Sequence, residues 1–285
     1  MDNSSLAARM KDYESVSKAR LTRRTPVIIR IDGKAFHTFT KGMRRPFDYV
    51  LTGTMQETTK YLCENIQGCV LGYTQSDEIS LVLVDYKTLE TSAWFDNEVQ
   101  KICSISASMA TMAFNKFFRI YAEHFIQDCA TQYEMDGSFG PGSPECKLCK
   151  IYDAAIKKGA MFDARCFNLP KEEVTNYIYW RQLDAMRNSV QAVGQANFSQ
   201  IQLNLKSCND IKDMLKQKGI NWDDFPTGLK CGSCAVKSDN PVDIVVNAGE
   251  RKIITHRKLW YIDRKIPVFK GDGREYIERL IRFDE

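Results

Sequence analysis

The chain predicts an α+β fold: a split βαβ, ferredoxin-like antiparallel sheet with helices on one face, followed by a smaller α+β C-terminal region. Three observations lead there. "PVIIRID" (26–32) is an apolar, β-branched strand. Two further apolar runs, 69–74 and 79–84, flank Gln75-Ser76-Asp77-Glu78 and read as a hairpin. Segments of helical period, 49–65 and about 91–124, precede and follow that hairpin, and "RCFNLP" (165–170) resembles a last strand. The order is strand–helix–strand–strand–helix–strand.

Residues 5–19 read as a short helix, and the first strand ends at Gly33. Asp48 is placed to cap the helix at 49–65, whose Leu51, Met55, Thr58 and Leu62 share one face. In the long helix, Ser104, Ala107, Ser108 and Thr111 permit close backbone packing. Residues 128–159 contain "MDGSFGPGSPECKLCK" and read as an inserted Gly/Pro-rich loop, dividing the chain into 1–127, the insertion, and 160–285. Beyond it the patterns predict a helix at 171–198, a helix at 208–218 closed by Gly219, strands near 229–237 and 253–262, and a short helix from 274.

Composition narrows the function. A hydrophobic fraction of 44% and a charged fraction of 27% over 285 residues describe a soluble globular protein with a real core. No apolar run approaches the ~20 residues of a membrane helix, and the N-terminus has no apolar signal region, so a cytoplasmic protein is expected. Net charge is only +4 but unevenly spread. Residues 18–45 hold nine Lys/Arg against Asp32 alone, and 251–282 hold ten against four acids. Such patches suit a phosphate-rich partner. Ten cysteines in such a chain suggest thiols or metal ligands rather than disulfides.

In the expected sheet the first strand lies beside the hairpin, bringing Asp32 to the tip that carries Asp77 and Glu78. Carboxylates so placed repel one another unless a cation neutralises them. Mg²⁺ takes hard oxygen ligands and is held by one or two carboxylates plus substrate phosphates. Two such ions stabilise both attacking and leaving oxygens in phosphoryl transfer. Gly33 permits close backbone approach, and the N–H groups of 34–37 form a cradle for a triphosphate. The alternative is an Asp-Gly turn beside a solvated acidic tip.

"RIDGKAF" (30–36), "TKGMRRPFD" (40–48), "YTQSDEIS" (73–80), "FDAR" (162–165) and "YWRQLDAMRNS" (179–189) resemble, in order, the motif series of the tRNA-histidine guanylyltransferase family. The resemblance spans about 30–205 and is highly specific as an ordered set. It implies a polymerase-type palm that adds nucleotides in the 3′-to-5′ direction to the 5′ end of tRNA, with ATP and GTP as substrates. It also implies a homotetramer, a dimer of dimers. Residue by residue, it assigns two Mg²⁺ ions to Asp32, Asp77 and the Gly33 carbonyl, with Glu78 as a further catalytic carboxylate. Lys34, Ala35, Phe36, His37 and Ser76 would touch the triphosphate. Arg45, Asp48 and Lys101 would also contact nucleotide, and Arg165, Arg181 and Asn188 would face tRNA.

Two departures stand out. The tRNA-histidine enzymes carry His-Ile-Asn-Asn where this chain has Met186-Arg187-Asn188-Ser189, which places it with the family's template-dependent branch. Addition of a single 5′ guanosine is the alternative; a nucleotide cyclase or an inactive RNA-binding module are more distant ones. The second departure is Cys146-x-x-Cys149 with Cys231-x-x-Cys234, a structural Zn²⁺ set if the fold joins them. Free thiols are the favoured expectation.

Overall fold

The computed structural model describes residues 4–248 and 251–283. In chain order the elements are α1 (Ser5–Ser15), β1 (Val27–Gly33), α2 (Phe36–Phe39), α3 (Tyr49–Asn65), β2 (Cys69–Gln75), β3 (Glu78–Leu83), α4 (Val99–Asp136), α5 (Pro144–Lys158), β4 (Phe162–Asn168) and α6 (Lys171–Asn197). Then follow α7 (Gln200–Leu203), α8 (Cys208–Gln217), α9 (Thr227–Lys230), β5 (Ser233–Lys237), β6 (Val242–Ala248), β7 (Arg251–Arg257), β8 (Trp260–Asp263) and α10 (Glu275–Glu278). Among the described residues no helix is long and apolar enough to cross a membrane.

The six-stranded sheet has the order β4-β1-β3-β2-β5-β8, and every adjacent pair is antiparallel. Strand β1 sits inside it with Ile28, Ile29 and Ile31 fully buried, which is why its apolar run scarcely alternates. Ile29 and Ile31 face α3 and α4, joining Met55, Leu62, Ile102 and Phe114. These two helices lie on one face, as expected. The opposite face does not stay open: Ile28, Leu71, Tyr73 and Val82 are covered by Val174 and Ile178 of α6 and by Phe269, Ile277 and Ile281. At ~1.5–3 kcal/mol for each large apolar side chain buried, both faces contribute to stability.

Three expectations change. The long helix begins at Val99, after Phe95, Asp96 and Asn97 adopt left-handed backbone, and runs on to Asp136. The stretch 128–159 is not a loop. Only 137–143 and the closing Gly159 are irregular, and α5 begins with the Ser143 cap and Pro144, burying Leu148, Tyr152 and Ala155 against the main core. Their i, i+4, i+7 spacing was hidden by the neighbouring glycines and prolines. The strand expected at 253–262 is split: β7 pairs with β6 in a separate two-stranded sheet, while β8 joins the main one beside β5.

Candidate active site

One end of the sheet gathers Asp32 and Gly33 from β1, the β2–β3 turn and the start of β4. Asp32 pairs across to Glu78 on one side and to Asp163 on the other. The Gly33 amide donates to the Asp77 carbonyl at 3.1 Å and the Lys34 amide to the Met161 carbonyl at 2.8 Å, so the backbone is pinned from both sides. A Cβ on Gly33 would lie 2.2 Å from the ring of Phe36. That ring is itself packed against Phe39, Phe114 and Phe162. Glycine is therefore required to let the chain turn over its own aromatic anchor. Gly33→Ala is expected to cost about 1–3 kcal/mol of stability through that overpacking. A melting curve checks it.

Beyond Gly33, Ala35 adopts φ +52 and opens the single turn α2. The amides of Ala35, Phe36 and His37 make no hydrogen bond among the described residues, although their neighbours at 34 and 38–40 do. Three unspent N–H groups on an αL-initiated turn form an anion-binding concavity. Lys34 and His37 are exposed beside it, His37 with its Nε2 3.0 Å from the Thr38 hydroxyl.

The hairpin turn places Ser76 at φ +51, and the Ser76 hydroxyl donates to the Asp77 carboxylate at 3.1 Å. Burial pushes the Asp77 carboxyl above its ordinary range, and the Asp32 charge adds to it. Glu78 is also pushed up by burial, but Arg181 and Arg30 oppose the rise. Arg181 donates through Nε and Nη2 at 2.7 and 2.9 Å, and Arg30 through Nη2 at 2.7 Å. The three carboxylates thus divide. Glu78 is neutralised by two guanidiniums, whereas Asp32 makes no hydrogen bond or ion pair among the described residues and Asp77 meets the Ser76 hydroxyl and its own backbone N–H but no cation among the described residues. Among the described residues no group of three His, Cys, Asp or Glu side chains is arranged to hold a metal. A two-carboxylate pair with a backbone carbonyl fits a hard divalent cation that completes its shell with phosphate and water.

A cavity of about 160 Å³ adjoins the hairpin tip, bounded by the start of α3, α6 and the segment leading into β5. Phe47, Met55 and Leu229 supply apolar wall; Gln56, Ser76 and Asn188 supply polar wall. Gln56 is 4% exposed, donates to the Ser233 hydroxyl at 2.9 Å and accepts from Arg264 at 2.8 Å. Sequence reading missed Gln56 and Ser233, which lie 177 residues apart. Arg30 was missed too, although a charged residue between buried isoleucines signals a buried counter-charge.

Other expected residues fall elsewhere. Asp48 lines the cavity, but its carboxylate accepts from the amides of Leu51 and Arg44, both at 3.0 Å, and from the Tyr152 hydroxyl at 2.7 Å. It caps α3 and ties α5 to it. Arg45 is exposed on the same loop, and Arg165 is exposed on β4 near Asp163. Arg181, expected to face tRNA, is only 4% exposed and grips Glu78 instead. Lys101 is not at this sheet end. Phe162, at the Asp32 end of β4, donates to Thr111 of α4, whereas Cys166 contacts Val99 and Cys103. Ten residues of helix, ~15 Å, separate Lys101 from Thr111. It sits 3.9 Å from Glu98. The cysteine set is not assembled either. Cys149 lies beside Cys129 and Cys146, while Cys234 is buried near Tyr276 and Asp263.

The model of the family described as Thg1, tRNAHis guanylyltransferase, matches residues 7–170. The chain is similar to a bacterial tRNA(His) guanylyltransferase (Thg1)-like protein solved in complex with ATP: TM-score 0.73, 37% identity, covering 98% of this chain and 99% of that one. The GTP complex gives 0.72 and 36%, over 98% and 100%. The tRNA(His) guanylyltransferase of Schizosaccharomyces pombe is 25% identical over 263 residues, 87% of this chain and 86% of the relative.

Proposed function

The chain belongs to the tRNAHis guanylyltransferase (Thg1) family, and on that premise we propose that it is a nucleotidyltransferase extending the 5′ end of tRNA in the 3′-to-5′ direction, with template-dependent repair of 5′-truncated tRNAs as its task. The observation that carries the chemistry is the Asp32–Asp77 pair, without a counter-ion among the described residues, on a strand end that leads directly into three unspent backbone amides. ATP and GTP complexes of the bacterial relative support nucleoside triphosphates as substrates here.

Asp32, Asp77 and the Gly33 carbonyl would hold two Mg²⁺ ions, whose chemistry is to lower the pKa of the attacking 3′-hydroxyl and to screen the charge on the transferred phosphorus. The amides of 35–37 hold the triphosphate, with exposed Lys34 and Arg45 adding positive charge. Ser76 fixes the Asp77 carboxylate from within the turn. The tRNA 5′ phosphate, activated with ATP or GTP or already a triphosphate, receives the 3′-hydroxyl of the incoming nucleotide, and pyrophosphate or nucleotide leaves. No side-chain nucleophile is required. Arg165, Asn188 and the basic segment 251–282, within the region 160–285, are the surfaces for tRNA backbone. A homotetramer belongs to the same reading. Helix α1 buries none of its residues, and Leu6, Met10 and Tyr13 line one exposed side.

Purified protein given Mg²⁺, labelled nucleoside triphosphates and a 5′-truncated tRNA should yield tRNA lengthened at its 5′ end. A cyclic nucleotide product, or tRNA bound but unchanged, would replace the reading with a cyclase or a binding module.

A further inference from the structure

We propose that Arg181 is a positioning residue for the metal-binding turn, acting through Glu78, and that Glu78 serves as its anchor and not as a metal ligand; this rests on the active-site reading above. Glu78 directly follows Asp77 and pairs across the sheet with Asp32. Left alone, its charge would repel both. Instead its carboxylate is gripped by Arg181, which reaches Oε1 through Nε and Oε2 through Nη2, at 2.7 and 2.9 Å. Both partners of this bidentate pair are nearly inaccessible, at 5% and 6% side-chain exposure. A planar guanidinium meeting a carboxylate in this way fixes orientation as well as distance.

Arg30 alone does not do this. It gives one hydrogen bond to Glu78, and its Nε has no partner among the described residues. Arg181 is held from several sides. Its Nη2 also meets Asp184 at 2.8 Å, and its guanidinium lies over the Trp180 ring, 4.4 Å from the centroid. Asp184 in turn pairs with Arg187 and accepts from Asn188 at 3.3 Å, and Asn188 lines the cavity beside the hairpin tip. One relay, buried at Glu78 and Arg181 and reaching the surface at Asn188, therefore runs from the turn bearing Asp77 to the wall of the cavity. Removing Arg181 leaves Glu78 buried with insufficient counter-charge, and the relief available is to move the turn that carries Asp77.

The test measures Mn²⁺ binding by electron paramagnetic resonance, in the presence of ATP, for wild type, Asp77→Asn, Arg181→Gln, Arg181→Lys and the double variant Glu78→Gln/Arg181→Gln. Thermal melting is followed in parallel. Arg181→Gln is expected to weaken Mn²⁺ binding about tenfold or more, Arg181→Lys less, because charge survives without the bidentate fork. The double variant should bind Mn²⁺ no worse than Arg181→Gln, since Glu78 contributes only through its partner. Mn²⁺ affinity unchanged in Arg181→Gln, whatever its melting point, would make the arginine merely structural and overturn the proposal. A double variant much weaker than Arg181→Gln would make Glu78 a ligand and overturn it too. If Arg181→Gln does not fold, Arg181→Lys decides: an affinity equal to wild type overturns the proposal. Asp77→Asn separates the two layers, because Mn²⁺ binding that survives it removes the active-site reading and the proposal together.

Discussion

Asp77→Asn is expected to reduce 5′ nucleotide addition by about a thousandfold or more, ~4 kcal/mol in barrier, while the melting midpoint stays level or rises. Asp32→Asn should behave alike. The asymmetry follows from the geometry. Neither carboxylate supports the fold: Asp32 makes no ion pair among the described residues, and Asp77 is met by the Ser76 hydroxyl and its own backbone N–H, both within the turn. The turn is pinned by backbone, Gly33 to Asp77 and the β1–β3 ladder, which an amide side chain leaves intact. Removing either charge also relieves a repulsion, since burial and the neighbouring Asp32 both push the Asp77 carboxyl up. Chemistry suffers because an amide is a much poorer ligand for a hard cation than a carboxylate. Single-turnover assays at saturating Mg²⁺, paired with thermal melts, check both halves. Activity within about tenfold of wild type, only ~1.4 kcal/mol, would remove these residues from the reaction.

What could be read in advance was set by short-range chemistry. The run "PVIIRID" had to be a buried strand, and a short connection between apolar runs, read as Gln75–Glu78 and found to be Ser76-Asp77 alone, had to bring Asp77 back beside Asp32. What could not be read was set by distant partners. Glu78 could be set apart from the two metal carboxylates but not given a partner, because its counter-ion, Arg181, is 103 residues away. Lys101 was assigned to nucleotide by resemblance alone, which carries no information on where the long helix begins. The left-handed turn at Phe95–Asn97 delays it, and antiparallel packing carries its first residues to the far end of the sheet. Composition misled at 128–159, where glycine and proline mark only the connection and Tyr152 reaches Asp48 across 104 residues.

Addition that follows the opposing base, whichever base it is, is the result expected of the specificity experiment. In the histidine-specific branch the segment corresponding to 186–189 begins with His and ends with Asn; here Met186 and Ser189 stand there. The fold turns both inward. Met186 packs against the cluster of Val190, Val193, Ile211, Leu215 and Trp222. Ser189, 5% exposed, donates to the Met186 carbonyl at 2.8 Å and accepts from the Trp222 indole at 3.1 Å. Its hydroxyl is therefore already committed, and a thioether offers only a weak acceptor. Of this segment only Arg187 and Asn188 are exposed, and both are engaged by Asp184. A polar contact set able to demand guanosine cannot be built from these atoms. Selectivity is then expected to come from the acceptor-stem nucleotide opposite the incoming one, because pairing geometry distinguishes all four bases without a protein group reading them. The measurement is a set of 5′-truncated tRNAs, from more than one species, with the templating base changed to each of the four. The complementary nucleotide should be added about tenfold faster or more than any other, ~1.4 kcal/mol in barrier. Guanosine added regardless of template, and only to full-length histidine tRNA, would show that the replaced segment is not the determinant and that this chain adds a single nucleotide.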